Sequence, residues 1–157
     1  MIRILRNSNG QRRRGATLVE AALVLPTVML FILGIVEYAR FLMTLHLFQN
    51  AAREGCRYAV AHIQSVTIGS TTYGNTTTDV TNKINQFLVG QTLSGQSVSV
   101  YASDTLGNNI GTWTDATAGD CVCVKITGNY KVMVASLLRL SSTIPVTVTV
   151  AMECEAN

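Results

Sequence analysis

Three groups of residues in this 157-residue chain have types and spacings that can do chemistry. The first is Arg12-Arg13-Arg14-Gly15-Ala16-Thr17-Leu18-Val19-Glu20, in which a basic cluster and one glycine precede a lone carboxylate. Residues 21–36 then carry no charge at all. A carboxylate at that depth in an apolar run costs roughly 2.5–3.5 kcal/mol to place in a bilayer, so Glu20 is a functional candidate. The second group is Cys56, Cys121, Cys123 and Cys154, which allow three full pairings. The third is His46 and His62, sixteen residues apart on one predicted helix. That spacing is about 24 Å, too far to share a metal. Asp104, Asp115 and Asp120 lack calcium-loop spacing. There is no glycine-rich phosphate loop and no Gly-x-Ser-x-Gly nucleophile turn. These patterns predict no metal, no cofactor, no small-molecule substrate and no enzyme.

The elements that must position these groups begin with an anchor. Residues 16–36 are long enough, at about 1.5 Å per residue, to cross a bilayer core as a helix. Five of the twelve basic residues precede Gly15, and the rest of the chain holds seven basic against nine acidic residues. That distribution argues against a nucleic-acid surface. It predicts a cytoplasmic N-terminus and an exported remainder. A removed secretory signal is the competing interpretation. Against it, the apolar run exceeds a typical signal core and continues into Glu37-Tyr38-Ala39-Arg40 without a small-x-small site.

The chain divides into a basic leader (1–15), a transmembrane helix (16–36), its periplasmic continuation (37–63) and a globular domain (64–157). Pro26 is tolerated inside a membrane helix. Phe41, Leu45, Phe48, Ala52, Cys56, Ala59 and Ile63 recur at helical spacing and form one apolar stripe. The domain's own sheet is the expected cover for that stripe, and a partner helix is the alternative. Residues 64–78 read as a surface loop. Residues 78–89 read as a short helix, with Thr77 or Thr78 as cap and Gly90 as stop. Strands are predicted at 97–102, 120–132 and 144–153, with Val98, Val100, Val122, Val124, Ile126, Val146, Val148, Val150 and Met152 inward. The intervening residues 103–119 read as a turn-rich connection. The predicted fold is α+β, with a long helix packed on a small antiparallel sheet of three to four strands and one short extra helix. Cys121 and Cys123 then face outward. Cys154 continues the inward series, and Cys56 lies on the helix stripe, so Cys56–Cys154 is the expected disulfide.

Arg12-Arg13-Arg14-Gly15-Ala16-Thr17-Leu18-Val19-Glu20, then Leu25-Pro26, Glu37-Tyr38-Ala39-Arg40 and Asn50-Ala51-Ala52-Arg53-Glu54, resemble the TadE-like family. These are minor pilins, or pseudopilins, of tight-adherence (Flp-type) pilus systems. The resemblance covers residues 12–58 well and the remainder in layout. It implies a pilin-like fold and cleavage after Gly15 by a prepilin peptidase, leaving Ala16 as the new N-terminus. It implies that Glu20 becomes the carboxylate that sets register between subunits. It implies a protein of the bacterial inner membrane or a pilus, with other pilins and pilus-assembly proteins as partners. Ala21 stands where many Flp-type pilins carry an aromatic, and Cys56 where a small residue is usual. Two other readings compete. One is a membrane-tethered periplasmic binding module or thiol enzyme using Cys121 and Cys123. The other is a type II secretion pseudopilin, which usually has an aromatic where this chain has Ala16.

Overall fold

The computed structural model describes residues 9–63, 66–68, 71–73, 76–104, 106–135, 139 and 141–154. One helix dominates it. α1 (Asn9–Ala61) runs 53 residues, about 80 Å, through Pro26 without interruption. It begins seven residues before the predicted start at residue 16, so the end of the expected leader continues the helix. The following elements are a small hairpin of β1 (Val66–Ile68) and β2 (Thr71–Tyr73), then α2 (Thr77–Leu88) and β3 (Ser94–Ser103). After these come β4 (Asn109–Gly111), a 3-10 turn (Trp113–Asp115), β5 (Cys121–Lys131) and β6 (Thr143–Glu153).

The two halves of α1 live in different surroundings. From Gly15 to Ile32 every residue is exposed, and the most apolar window of the helix is not buried at all. Leu18 and Leu23 are each 71% exposed and Phe31 67%. Beyond residue 40 the predicted stripe becomes core. Phe48, Ala51, Ala52, Cys56 and Ala59 are fully buried, and Phe41, Leu45 and Ile63 pack at the margins.

Four antiparallel strands in the order β4-β3-β5-β6 form the curled sheet under this stripe. The β5–β6 register is unbroken from Cys121↔Glu153 to Lys131↔Thr143. Alternation sends Val122, Val124, Ile126, Val146 and Val148 toward the helices, as their spacing predicts. α2 fills the rest of that face with Val80, Ile84 and Leu88. Thr76 caps α2 by accepting from the Asp79 amide at 3.2 Å, one residue before the predicted Thr77 and two before Thr78. The chain leaves α2 through Val89 and Gly90, both with positive φ.

Two segments depart from the expected layout. Residues 64–78 contain the β1–β2 hairpin, paired Val66↔Tyr73, inside what reads as a loop. The 103–119 connection holds β4 and the 3-10 turn, which delivers the buried Trp113 to the core. The Trp113 indole N–H donates to Thr77 Oγ1 at 3.3 Å, tying this connection to the start of α2.

α1 and α2 pack against each other at Gly55. A Cβ placed there would meet Ile84 Cγ1 and Cδ1 at 2.6 and 2.7 Å. Gly55→Ala is expected to cost about 1–3 kcal/mol by overpacking. Ile84→Ala removes both obstructing atoms, so the double variant should lose less than the sum of the singles. Denaturant unfolding in detergent, followed by the fluorescence of the single tryptophan, measures this. Strict additivity would show that the two helices do not meet there.

Candidate functional site

The residues singled out at the N-terminal end lie on the bare half of α1. Gly15, Ala16 and Glu20 are all exposed, and nothing lies within 4 Å of the Gly15 Cβ position. Among the described residues Glu20 makes no ion pair. Its carboxylate is exposed on an apolar rod, and among the described residues no cation pairs with it.

The other end of that rod is fixed by a carboxylate of opposite character. Glu37 is 7% exposed. Its Oε1 accepts from the Tyr130 hydroxyl at 2.8 Å and from the Met133 amide at 3.3 Å. Arg40, one turn along α1, donates to both carboxylate oxygens at 3.2 Å. The guanidinium also lies 5.7 Å from the centre of the Tyr130 ring, and Phe41 meets that ring edge-on at 5.4 Å. Burial and the bond to Glu37 push the Tyr130 hydroxyl above its ordinary pKa, while Arg40 opposes them. One side chain at the end of the apolar run thus holds the far end of β5 and the start of its following loop. Beside it lies a largely apolar cleft of about 490 Å³, walled by Gly34, Tyr38, Phe41, Val132 and Ile144. Sequence reasoning used Glu37 only as part of a family pattern. The available signal was a charge directly after sixteen uncharged residues, with a cation three positions on.

All four cysteines, Cys56 and Cys154 among them, are free thiols here. Cys56 Sγ lies against the sheet backbone, 3.0 Å from Val150 O and 3.6 Å from Val122 O. Cys154 lies four residues beyond Val150, past the end of β6, where its amide donates to Asp120 O at 2.8 Å. Burial pushes the Cys56 thiol up to about 12. Cys123 is buried on the outer face of the sheet, not exposed as its strand parity suggests, and it accepts from the Ser103 hydroxyl at 3.4 Å. Cys121 is half-buried, and burial with the nearby Glu153, Asp120 and Asp104 raises its pKa. His62 stacks on Tyr58 with ring centres 4.1 Å apart, and His46 is exposed. Among the described residues no three His, Cys, Asp or Glu side chains converge on a metal position.

Comparison with known families matches residues 15–57 to the TadE-like protein family. The matched stretch runs along the bare half of α1, through Glu37 and Arg40, to the core-facing turns around Cys56. This agrees with the resemblance read from the sequence. Neither curated proteins nor solved structures give a match.

Two outcomes follow from this geometry. Glu37→Ala leaves the Tyr130 hydroxyl and the Met133 amide without their acceptor and should cost about 2–4 kcal/mol. Glu37→Gln keeps an acceptor oxygen and should cost less. Chemical denaturation in detergent compares them, and equal losses would refute the acceptor role. The second outcome concerns pH. Cys56 ionises at about 12 when folded, against an ordinary 9.0. Its contribution is therefore complete below about pH 9 and is lost as pH rises from there toward 12. Stability measured from pH 8 to 10.5 should fall, and Cys56→Ala should show a shallower decline. Identical slopes would mean that the thiol is not buried.

Proposed function

We propose that this chain is a minor pilin, or pseudopilin, of a tight-adherence (Flp-type) pilus system, acting by membrane anchoring and helix packing. The observation that carries this reading is the division of α1. One half is bare, apolar and marked by a single carboxylate, whereas the other half is consumed in the core of an α+β domain. The bare half has the length and composition of a membrane anchor, and the basic cluster before Gly15 favours a cytoplasmic N-terminus. The domain then stands in the periplasm or outside the cell.

In this reading a prepilin peptidase cleaves after Gly15 and leaves Ala16 with a positive α-amine. Gly15 and Ala16 are unobstructed, which suits entry of the segment into a protease as an extended chain. An isolated carboxylate in lipid gains most by meeting a cation on an adjacent subunit, which gives Glu20 a register role. The thiol-enzyme alternative is weakened by the raised pKa of Cys121 and the burial of Cys123, because a reactive cysteine needs thiolate and access.

Mass spectrometry of the membrane-bound protein, from cells with an active prepilin peptidase, should find Ala16 as the first residue. Gly15→Leu should block processing. An intact Met1 terminus would overturn the assignment. Glu20→Ala should leave membrane insertion intact or improved, because it removes the buried-charge penalty, while incorporation into the pilus complex is lost. Unchanged piliation by that variant would rule out the register role.

A further inference from the structure

A groove of about 350 Å³ lies on the outer side of α1, lined by Asn50, Arg53, Glu54, Arg57, Phe87 and Met152. Arg53 and Arg57 are exposed and one turn apart, and among the described residues neither has an ion-pair partner. Glu54 lies 3.9 Å from Lys83 instead. Like charges four residues apart on a helix repel, so this pair has a standing cost that an incoming anion would relieve. Phe87 and Met152 give the groove apolar walls, 45% and 39% exposed.

The complementary charge is on the same molecule: Glu153 follows the groove residue Met152 on β6, and strand alternation puts it on the opposite face of the sheet. The β-sheet register aligns Ser103 with Cys121 and Cys121 with Glu153. Asp104 and Asp120, the neighbours of Ser103 and Cys121, therefore join Glu153 at one end of the sheet. All three lie close enough to Cys121 to raise its pKa. Asp104 and Asp120 accept bonds from Asn108 and Thr117, which favour their ionised forms. Glu153 is exposed and has no ion-pair partner among the described residues.

The two patches also share a level along α1. Cys56 lies between Arg53 and Arg57, and its thiol rests on Val122 and Val150, close to the acidic end of the sheet. Copies tethered in one bilayer by parallel spans are held at equal height, so lateral contact can join only patches of matching level. We propose that the Arg53/Arg57 groove receives the acidic sheet end, Asp104, Asp120 and Glu153, of a second copy of this chain. The patches occupy different sides, so the contact is heterologous. Each copy in a row leaves one groove and one acidic end free for the next. The attraction is between exposed charges and weakens with salt. This inference rests on the membrane tether of the proposed function and goes beyond Glu20, since it concerns the exported domain.

The test uses the full chain in liposomes, as a mixture of isotopically heavy and light copies carrying Arg57→Lys. That variant keeps the positive charge and supplies an amine for carbodiimide coupling to carboxylates. Flotation reports the tether and mass spectrometry maps heavy–light peptides. Links from position 57 to Glu153, Asp120 or Asp104 are expected. Glu153→Gln, alone and with Asp120→Asn, should lower heavy–light linkage, on the order of tenfold for the pair, as should about 0.5 M salt. Chains that float but give no such links, or link position 57 to other carboxylates, overturn this contact and leave the anchor standing. Chains that fail to float overturn the tether and the contact with it.

Discussion

Glu37 sits where a single helix changes solvent, and the rest of the structure depends on how its charge is satisfied. Below it, α1 offers apolar side chains in every direction, which no water-facing helix does. Above it, the same helix needs one face covered by protein. A carboxylate at that boundary would be costly in hydrocarbon and would be freely hydrated in water. Here it is neither, because Arg40 neutralises it and Tyr130 and Met133 donate to it. The bonds come from the far end of β5, so satisfying one charge fixes the near end of the sheet against the helix.

A second restraint lies 18 residues further on, at Gly55, about 27 Å along the axis. There the absent side chain lets α2 approach closely enough for Ile84 to occupy the space a Cβ would take. Between these points the contact is apolar packing, with Phe48 and Ala52 in one core with Val122, Val124 and Val148. Apolar packing alone permits sliding along a helix, whereas a directional clamp at one end and a steric key at the other set the register.

The parts of this architecture that depend on local pattern were readable in the sequence. The stripe Phe48, Ala52, Cys56, Ala59 and the alternation along β5 and β6 declare their buried faces by period alone. The recognition of the family rests on the same N-terminal stretch, where residues 15–57 match it. What escaped depends on partners distant in sequence or on weak pattern. The 66–73 hairpin is rich in Thr and has no apolar alternation, and β4 is wholly exposed. Glu37 meets a tyrosine 93 residues away, which no local spacing announces. Cys123 has outward parity and is nonetheless buried, because the curled sheet and the Ser103 hydroxyl enclose it.

Charge also distinguishes the two ends of the sheet. β5 spans ten residue steps, about 33 Å, from Cys121 to Lys131. Arg40 and Lys131 belong to the end that meets Glu37, next to the apolar half of α1. Asp120 and Glu153 belong to the opposite end. The two ends therefore differ: the anchor end carries Arg40 and Lys131, whereas the far end carries Asp120 and Glu153 with Arg53 and Arg57 at the same level. Tethering then limits the orientations available to each copy, and lowers the entropy lost when neighbouring copies meet side by side.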